Sequence, residues 1–282
     1  MELWLVYALA TVVFYGLGEG LSKEPTVRLG SGRMLALYSL GSVPIYLGWF
    51  LLGQGWTSLD LWGAAFAALS GVCGTLGTAS WLRAMESGHA SIVSGFTAAY
   101  PVITVAAAVL ILGASLLPLQ VLAIACLLVA AGLLGTFDHP GPHAVGRGWL
   151  LPMVLAVVLW GVWGIFEKLA IDAIGFAANA GVYVAVSTPI YLGIAWREIR
   201  RPVPWDREGI REALPTLALF AVAGVTMFLA VGMGPLAIVV PLTTAYPGVA
   251  ILVRRLWMQE RLTWPQKFAV GLAMAGAVLV SL

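Results

Sequence analysis

The stretch "YSLGSVPIYLG", residues 38–48, recurs as "YVAVSTPIYLG", residues 183–193, at a shift of 145 positions. Seven of the eleven positions in this pair of stretches are identical. A second pair, "TAAYPVITV" (residues 97–105) and "TTAYPGVAI" (residues 243–251), recurs at a shift of 146. The chain therefore contains an internal duplication whose second copy begins about 145 residues after the first.

The composition is that of a membrane protein. The chain has 282 residues, of which 61% are hydrophobic and only 10% are charged, and its mean hydropathy is +0.95. Soluble domains have about a quarter of their residues charged, so the composition excludes a soluble protein. The net charge of +2 is carried by loops and helix ends, and it indicates neither a nucleic acid nor an acidic partner.

Hydrophobic runs define the expected spans. Crossing the hydrocarbon core takes about 20 mostly apolar residues, and the sequence contains ten such runs. They cover residues 3–22, 32–52, 60–84, 89–112, 117–136, 148–168, 174–195, 211–232, 235–256 and 263–281. We predict an all-α polytopic membrane protein of ten transmembrane helices, with a five-helix repeat at 1–137, a connector at 138–147 and a second five-helix repeat at 148–282.

The odd number of spans in each copy predicts how the copies are oriented. After five crossings the second copy enters from the opposite side of the bilayer, so the two repeats are expected to be inverted. Inverted repeats place a substrate site near the membrane midplane between them, and rocking of one repeat against the other exposes that site to each side in turn.

Basic residues are concentrated on one side of the predicted topology. Of 15 Lys and Arg residues, 14 fall at loops and helix ends on the side opposite the two termini, and only Lys168 falls on the side of the termini. We call these the basic side and the terminal side. The positive-inside rule makes the basic side cytoplasmic, so we expect a multi-pass protein of the cell (inner) membrane with both termini outside. No cleaved signal peptide is expected, since no basic n-region precedes the first span.

Several segments resemble one known family. They are "WGVWG" (160–164), "SIVSGFTAAYPVITV" (91–105), "AIVVPLTTAYPGVAI" (237–251) and "QERLTWPQKFAVGLAMAGAVLV" (259–280). In this order, and with the duplicated five-helix plan, they are similar to EamA-type transporters of the drug/metabolite transporter superfamily. The resemblance implies a secondary-active transporter of small organic solutes, such as amino acids or related metabolites, often an exporter and without a bound cofactor.

The sequence departs from this family in two respects. A Gly-Glu-Arg-Leu-like turn usually follows the fourth and ninth helices, but here only the later copy survives, as Gln259–Leu262, whereas the earlier one reads Gly-Ala-Ser-Leu at residues 113–116. This weakens any role for Glu260 in a symmetric mechanism. Relatives are also more often drawn with both termini inside, whereas the charges of this chain favour termini outside.

Two Tyr-Pro pairs fall in the middle of predicted helices 4 and 9, Tyr100-Pro101 and Tyr246-Pro247. Proline removes an amide donor and bends a helix, and irregular backbone at membrane depth is tolerated where it meets protein or a water-filled cavity. The recurrence of the pair in both copies favours a substrate cavity. The alternative is a packing kink with a tyrosine that faces lipid.

Other aromatic residues are candidates for the same cavity. Tyr38 and Tyr183 each precede a proline by six residues, in helices 2 and 7. Tyr15, Trp160 and Trp163 lie within one or two turns of the charged ends of helices 1 and 6. Aromatic faces bind flat or cationic solutes, although Trp163 would serve equally in packing.

Four charged residues are candidates for gating or coupling. Lys23 and Lys168 end predicted helices 1 and 6, where each could gate the pathway or simply snorkel and favour a helix C-terminus. Glu19 precedes Lys23 by four residues, a spacing that allows an ion pair within the helix. Glu19 and Glu167 are the best-placed carriers if protons are the coupling ion, because ionisable residues inside spans usually face the bundle interior.

No catalytic or metal-binding set is evident in the sequence. The segment Asp138–His143 is a proline-rich connector, His89 starts a helix, and Cys73 and Cys126 fall inside spans. We therefore expect no enzyme activity, no metal and no cofactor. The expected partners are a small-molecule substrate and the lipid bilayer, with protons as a candidate coupling ion, no nucleic acid, and a monomer or weak dimer. A membrane scaffold or an intramembrane enzyme remains the alternative.

Overall fold

The computed structural model describes residues 2–88, 93, 96, 97, 99–136, 147–200, 205–258 and 264–280. Across these residues the structure is helical and contains no strand. The α-helices are α1 (Leu3–Leu29), α2 (Ser31–Leu52), α3 (Leu61–Ser87), α4 (Pro101–Leu112), α5 (Pro118–Thr136), α6 (Leu150–Ile199), α7 (Arg207–Met233), α8 (Leu236–Thr243), α9 (Tyr246–Met258) and α10 (Trp264–Val280). Short 3₁₀ turns at Gly55–Thr57 and Arg147–Trp149 precede α3 and α6.

Among the described residues, five helices are long and apolar enough to cross a membrane, namely α1, α2, α3, α6 and α7. The outward surface of the helices is also apolar: Leu40, Leu52 and Leu110 are 69%, 89% and 83% exposed. Side chains of this type are stable on a surface that faces hydrocarbon, and in water so many of them would promote aggregation. The all-helical, multi-pass membrane architecture predicted from the sequence is thus confirmed.

Helix α6 combines two predicted spans, 148–168 and 174–195, in one element of 50 residues. The break between them is at Gly175, whose backbone has φ 75° and ψ 169°. The corner between α1 and α2 is made by Gly30 in nearly the same conformation, φ 84° and ψ 152°. Glycine is the residue that adopts positive φ without steric cost. We therefore refer to two helical stretches of α6, residues 150–174 and 176–199.

The Tyr-Pro segments interrupt helices instead of bending them, and the prediction of mid-helix prolines is wrong in this respect. Tyr100 lies in a turn, and Pro101 is the first residue of α4. In the second copy α8 ends at Thr243 and α9 begins at Tyr246, one residue before Pro247. Proline is favoured in the first turn of a helix because the amide hydrogen that it lacks would have no intrahelical partner there.

Helices of the first half pack mainly on helices of the second half. The largest contacts are those of α1 with α7, α2 and α3 with α6, and α5 with α10. The pairing is reciprocal: the first helix of each half packs on the third helix of the other half. A pseudo-twofold arrangement results, in which both halves contribute to one shared interior.

Contacts at the helix ends show the relative directions. The end of α3 at Gly88 packs against Trp149 at the start of α6, and the start of α3 at Gly63 packs against Ile174. Lys23, near the end of α1, donates a hydrogen bond of 2.8 Å to the carbonyl of Gly88. Helices α1 and α3 therefore end on the side where α6 begins, so the first stretch of α6 runs opposite to α1.

Candidate functional site

A cavity of about 130 Å³ lies between the two halves. Twenty of the described residues line it, and eleven of these are Tyr, Trp or Phe. They are drawn from α1, α2, α3 and the turn before α4 on one side and from α6, α7, α8 and α9 on the other. The sequence candidates among the lining residues are Tyr15, Glu19, Tyr38, Tyr100, Trp160, Trp163, Tyr183 and Tyr246.

Five other candidates lie elsewhere in the part of the chain that the structure describes. Pro101 is the first residue of α4 and Pro247 the second residue of α9, and neither lines the cavity. Lys23, Glu167 and Lys168 are also outside the cavity wall. These prolines therefore determine where Tyr100 and Tyr246 lie, since each tyrosine directly precedes one.

The two Tyr-Pro tyrosines occupy equivalent places. Tyr100 and Tyr246 are 7% and 8% exposed, so neither faces lipid. The ring of Tyr100 lies 5.9 Å from that of Trp160, and the ring of Tyr246 lies 6.2 Å from that of Tyr15. Tyr15 and Trp160 are themselves 145 residues apart. The duplication therefore places an equivalent pair of aromatic rings on each of two sides of the cavity, Tyr with Trp on one and Tyr with Tyr on the other.

Close helix approach brings these rings together. Gly16, next to Tyr15, packs so closely on α9 that a Cβ there would lie 2.4 Å from the Cβ of Val249. Gly161, next to Trp160, packs equally closely on Ile103 of α4, at 2.6 Å. Any larger residue would push these helices apart and move the aromatic side chains out of register.

A second exchanged pair is formed by helices α2 and α6. The ring of Tyr38 lies 5.7 Å from that of Tyr191, and the ring of Tyr183 lies 5.0 Å from that of Tyr46. Tyr38 and Tyr183 are equivalent, as are Tyr46 and Tyr191. Tyr46, which lines the cavity, was missed as a site residue, although it stands in the duplicated stretch and the repeat itself could have indicated it.

Trp81 and Phe220 were also missed. They join the other rings into a continuous belt with centroid separations of 5.6 to 6.2 Å. In spatial order the belt consists of Tyr246, Tyr15, Phe220, Trp81, Trp160 and Tyr100.

The repeat gave no signal for Trp81 and Phe220, because their residue types are not conserved between the copies. At a shift of 146, Trp81 corresponds to Met227 and Phe220 corresponds to Gly74. All four residues line the cavity. The two halves therefore contribute equivalent positions but different side chains, and the cavity is symmetric in backbone and asymmetric in shape.

The prediction that both candidate lysines end helices is wrong. Lys23 lies within α1, and Lys168 lies within the first stretch of α6. Lys23 donates to carbonyls at the end of α3, including that of Gly88 at 2.8 Å. Lys168 donates to Asp172 Oδ1 at 2.7 Å and to the carbonyl of Gly232, near the end of α7, at 3.4 Å. The last carbonyls of a helix have no intrahelical partner, so each lysine caps the third helix of its own half. A gating role stays a prediction.

The two candidate carboxylates occupy different environments. Glu19 is 2% exposed and lines the cavity. Glu167 is 1% exposed and lies outside the cavity, where it accepts hydrogen bonds from Ser70 Oγ and, at 2.5 Å, from Asn179 Nδ2. Because Asn179 follows the break at Gly175, the Glu167 carboxylate connects α3 with both stretches of α6.

Within the described ranges no group of three or more His, Cys, Asp or Glu side chains could hold a metal ion. Cys73 and Cys126 form no disulfide. The connector Asp138–His143, His89 and the turn Gln259–Leu262 lie outside the described residues.

A comparison with known protein families matches the two halves of the chain separately. The sequence model of the EamA-like transporter family matches residues 2–136 and residues 147–282. The chain belongs to the EamA-like transporter family. The resemblance seen in the sequence is thereby confirmed, and membership in a family of membrane transporters makes a small-molecule substrate and a lipid bilayer its expected partners.

A solved structure has the same fold as this EamA-like chain. It is a crystal structure of a protein that is 16% identical in sequence, with a TM-score of 0.73 over 99% of this chain and 98% of the other chain. At this level of identity the similarity concerns the fold alone. No curated protein sequence matches the chain.

Proposed function

We propose that this protein is a secondary-active exporter of small organic solutes, such as amino acids or related metabolites. It crosses the membrane ten times as two inverted five-helix repeats, residues 1–137 and 148–282, joined by a connector at 138–147. The observation that carries the proposal is the cavity between the halves, which both repeats line at equivalent positions.

Alternating access follows from this pseudo-symmetry. If the two repeats exchange conformations, contacts that close one side in one state close the opposite side in the other. The corners at Gly30 and Gly175 and the interruptions before Pro101 and Pro247 supply equivalent places where the backbone changes direction. Rocking of packed helices about such points moves the cavity wall without unfolding any helix.

The basic side is held together by polar contacts in the present conformation. The start of α2 is bound by Glu198, which accepts a 2.8 Å hydrogen bond from the Gly32 amide. The end of α1 is bound to the start of α7 by the 2.7 Å ion pair of Arg28 with Glu208. Opening the cavity toward this side requires these contacts between the two halves to separate, so they act as a closure.

Glu19 and Glu167 are the proposed proton carriers, and Lys23 and Lys168 the proposed gating residues. A proton on Glu19 would change the charge of the cavity wall directly. A proton on Glu167 would act through its hydrogen bonds to α3 and to the second stretch of α6, and hence through the helix that carries Tyr183.

The cavity wall also restricts the solute. Eleven of its twenty residues are aromatic, and among its described residues Glu19 is the only carboxylate and no Lys or Arg is present. Aromatic rings stack on flat solutes, whereas an anionic solute would lack a countercharge. Within the proposed class, solutes that carry a ring and no net negative charge fit this wall best.

The proposed placement puts the basic side in the cytoplasm and both termini outside, in the cell (inner) membrane, because 14 of the 15 basic residues lie on the basic side. The protein is proposed to act as a monomer or weak dimer.

Counterflow in proteoliposomes tests the function. Vesicles loaded with an unlabelled amino acid or metabolite should accumulate the same labelled compound, and vesicles without protein should not. Recovery of a chemically altered compound would indicate an intramembrane enzyme instead. Absence of exchange across the whole panel by a folded protein would favour a scaffold.

A further inference from the structure

The arginines at the basic side include two contrasting groups. One group is paired: Arg28 lies 2.7 Å from Glu208 and 3.5 Å from Glu212, and Arg83 lies 2.9 Å from Glu86. The other group consists of exposed arginines with no ion pair or hydrogen bond to any residue that the structure describes. Its members are Arg197, Arg200, Arg207 and Arg211.

The unpaired arginines lie at one corner of the molecule, where α6 ends and α7 begins. Arg33 links the two helix ends, since its Nε lies 3.4 Å from the Glu198 carbonyl oxygen and its guanidinium lies 5.2 Å from the ring centre of Trp205. Arg197 is in the last turn of α6, and Arg200 is the residue that directly follows that helix. The other two are one turn apart at the start of α7.

An exposed tryptophan marks this corner as a membrane interface. Trp196 is 53% exposed, and the guanidinium carbon of Arg200 lies 3.9 Å from its ring centre. Leu192, one turn before Trp196 on α6, is also exposed. Tryptophan is enriched at the level of lipid headgroups, and along one face of α6 the exposed Leu192 is followed at four-residue spacing by Trp196 and Arg200.

We propose that this corner, defined by Arg197, Arg200, Arg207 and Arg211, binds the phosphate of an anionic phospholipid from the adjacent leaflet. Guanidinium groups bind phosphate oxygens through two parallel hydrogen bonds, and these four arginines have no such partner among the residues that the structure describes. A lipid fits better than a soluble phosphate because an acyl chain can lie along the exposed Leu192, on the same helix face as Trp196. The site rests on the membrane placement described under the proposed function.

The experiment measures lipid binding and requires no transport. The purified protein in phosphatidylcholine nanodiscs is compared with the protein in nanodiscs that also contain phosphatidylglycerol, by thermal unfolding and by the retained lipid in native mass spectrometry. Phosphatidylglycerol should raise the unfolding midpoint. The R197Q/R200Q variant should bind it about 30-fold more weakly, since an arginine near a charged surface contributes roughly fivefold in affinity.

Arg83→Gln is the matched control, because it removes one positive charge from the same side at a paired position. It should change phosphatidylglycerol binding by less than about twofold. Inorganic phosphate, added to phosphatidylcholine nanodiscs at constant ionic strength, should have no effect on the unfolding midpoint.

Two results would overturn the site: unchanged phosphatidylglycerol affinity in R197Q/R200Q, or equal stabilisation by inorganic phosphate. If R197Q/R200Q does not fold, the R207Q/R211Q variant is measured against the same two criteria. If the protein binds phosphatidylglycerol in this way but shows no counterflow, the lipid site is supported and the proposed transport function is refuted. If it shows counterflow but does not bind phosphatidylglycerol through these arginines, only the lipid site is refuted.

Discussion

Gly30 and Gly175, which are 145 residues apart, adopt the same unusual backbone conformation, with φ 84° and ψ 152° at the first and φ 75° and ψ 169° at the second. Each glycine forms the corner between the first and second helical stretch of its half. A backbone feature of this kind is retained in both copies because the corner cannot be made by a residue with a side chain unless strain is accepted.

Gly175→Ala tests this relationship. A Cβ at Gly175 would meet no atom within 4 Å, so the substitution adds backbone strain and no steric clash. A non-glycine residue in this region of φ and ψ costs of order 1–3 kcal/mol. We expect the free energy of unfolding, measured by titration with sodium dodecyl sulfate, to fall by about that amount. Gly193→Ala, equally open but without a positive φ, should leave it nearly unchanged, and an equal loss in both variants would contradict the conclusion.

Tyr100→Phe and Tyr246→Phe test the cavity wall. Each removes one hydroxyl from a buried ring that lines the cavity and keeps the ring contacts. Transport in counterflow should fall in both variants while the amount of protein in the membrane stays the same. Tyr7→Phe, a tyrosine outside the wall, serves as the control. Flux equal to wild type in both cavity variants would remove these hydroxyls from the site.

Gly77→Ala tests how the wall is shaped. A Cβ at Gly77 would lie 2.5 Å from Cδ1 of Trp160, so the indole must move. Because Trp160 lines the cavity, the indole is expected to move into it. Overpacking of this kind costs about 1–3 kcal/mol. We expect a lower unfolding midpoint and weaker solute binding, both partly restored by adding Trp160→Phe. Gly41→Ala, where a Cβ has open space, should change neither measurement.

Proton coupling is tested with Glu19→Gln and Glu167→Gln. Both substitutions keep the size of the side chain and prevent ionisation. If either carboxylate carries the coupled proton, the variant should retain counterflow and lose accumulation driven by a pH gradient. Asp172→Asn, at the exposed partner of Lys168, is the control and should retain both activities. Gradient-driven accumulation by both glutamine variants would exclude these residues as carriers.

The orientation is tested by cysteine labelling. In a background with Cys73→Ser and Cys126→Ser, a cysteine added at the C-terminus should react with an impermeant maleimide applied to intact cells. A cysteine in place of Asp206, on the basic side, should react only after lysis. The reverse pattern of labelling would place both termini inside.

Much of the architecture could be predicted from the sequence because the duplication leaves identical residues at equivalent positions. Tyr100 and Tyr246 were recognised in this way, and the structure places both on the cavity wall. Boundaries were less predictable. Gly175 stands between apolar residues that are good helix formers on both sides, so hydropathy gives no sign that its corner is as sharp as the corner at Gly30.

The parts of the site that were missed share one cause. Trp81 corresponds to Met227 in the other copy, and Phe220 corresponds to Gly74. A comparison of the copies finds residues that are retained, not residues that replace each other. The role of Glu167 was hidden for a related reason. Its partners Ser70 and Asn179 are distant in sequence and carry no motif.

The amino-acid sequence by itself determined that the chain is an all-helical membrane protein, that it is built from two copies, and which tyrosines recur in both. These properties follow from local hydropathy and from residue identity, which are written along the chain. Only the tertiary structure decided which side chains share the cavity, which lysines cap helices, and which arginines form ion pairs. Those properties depend on contacts between helices of different halves, and no local pattern records them.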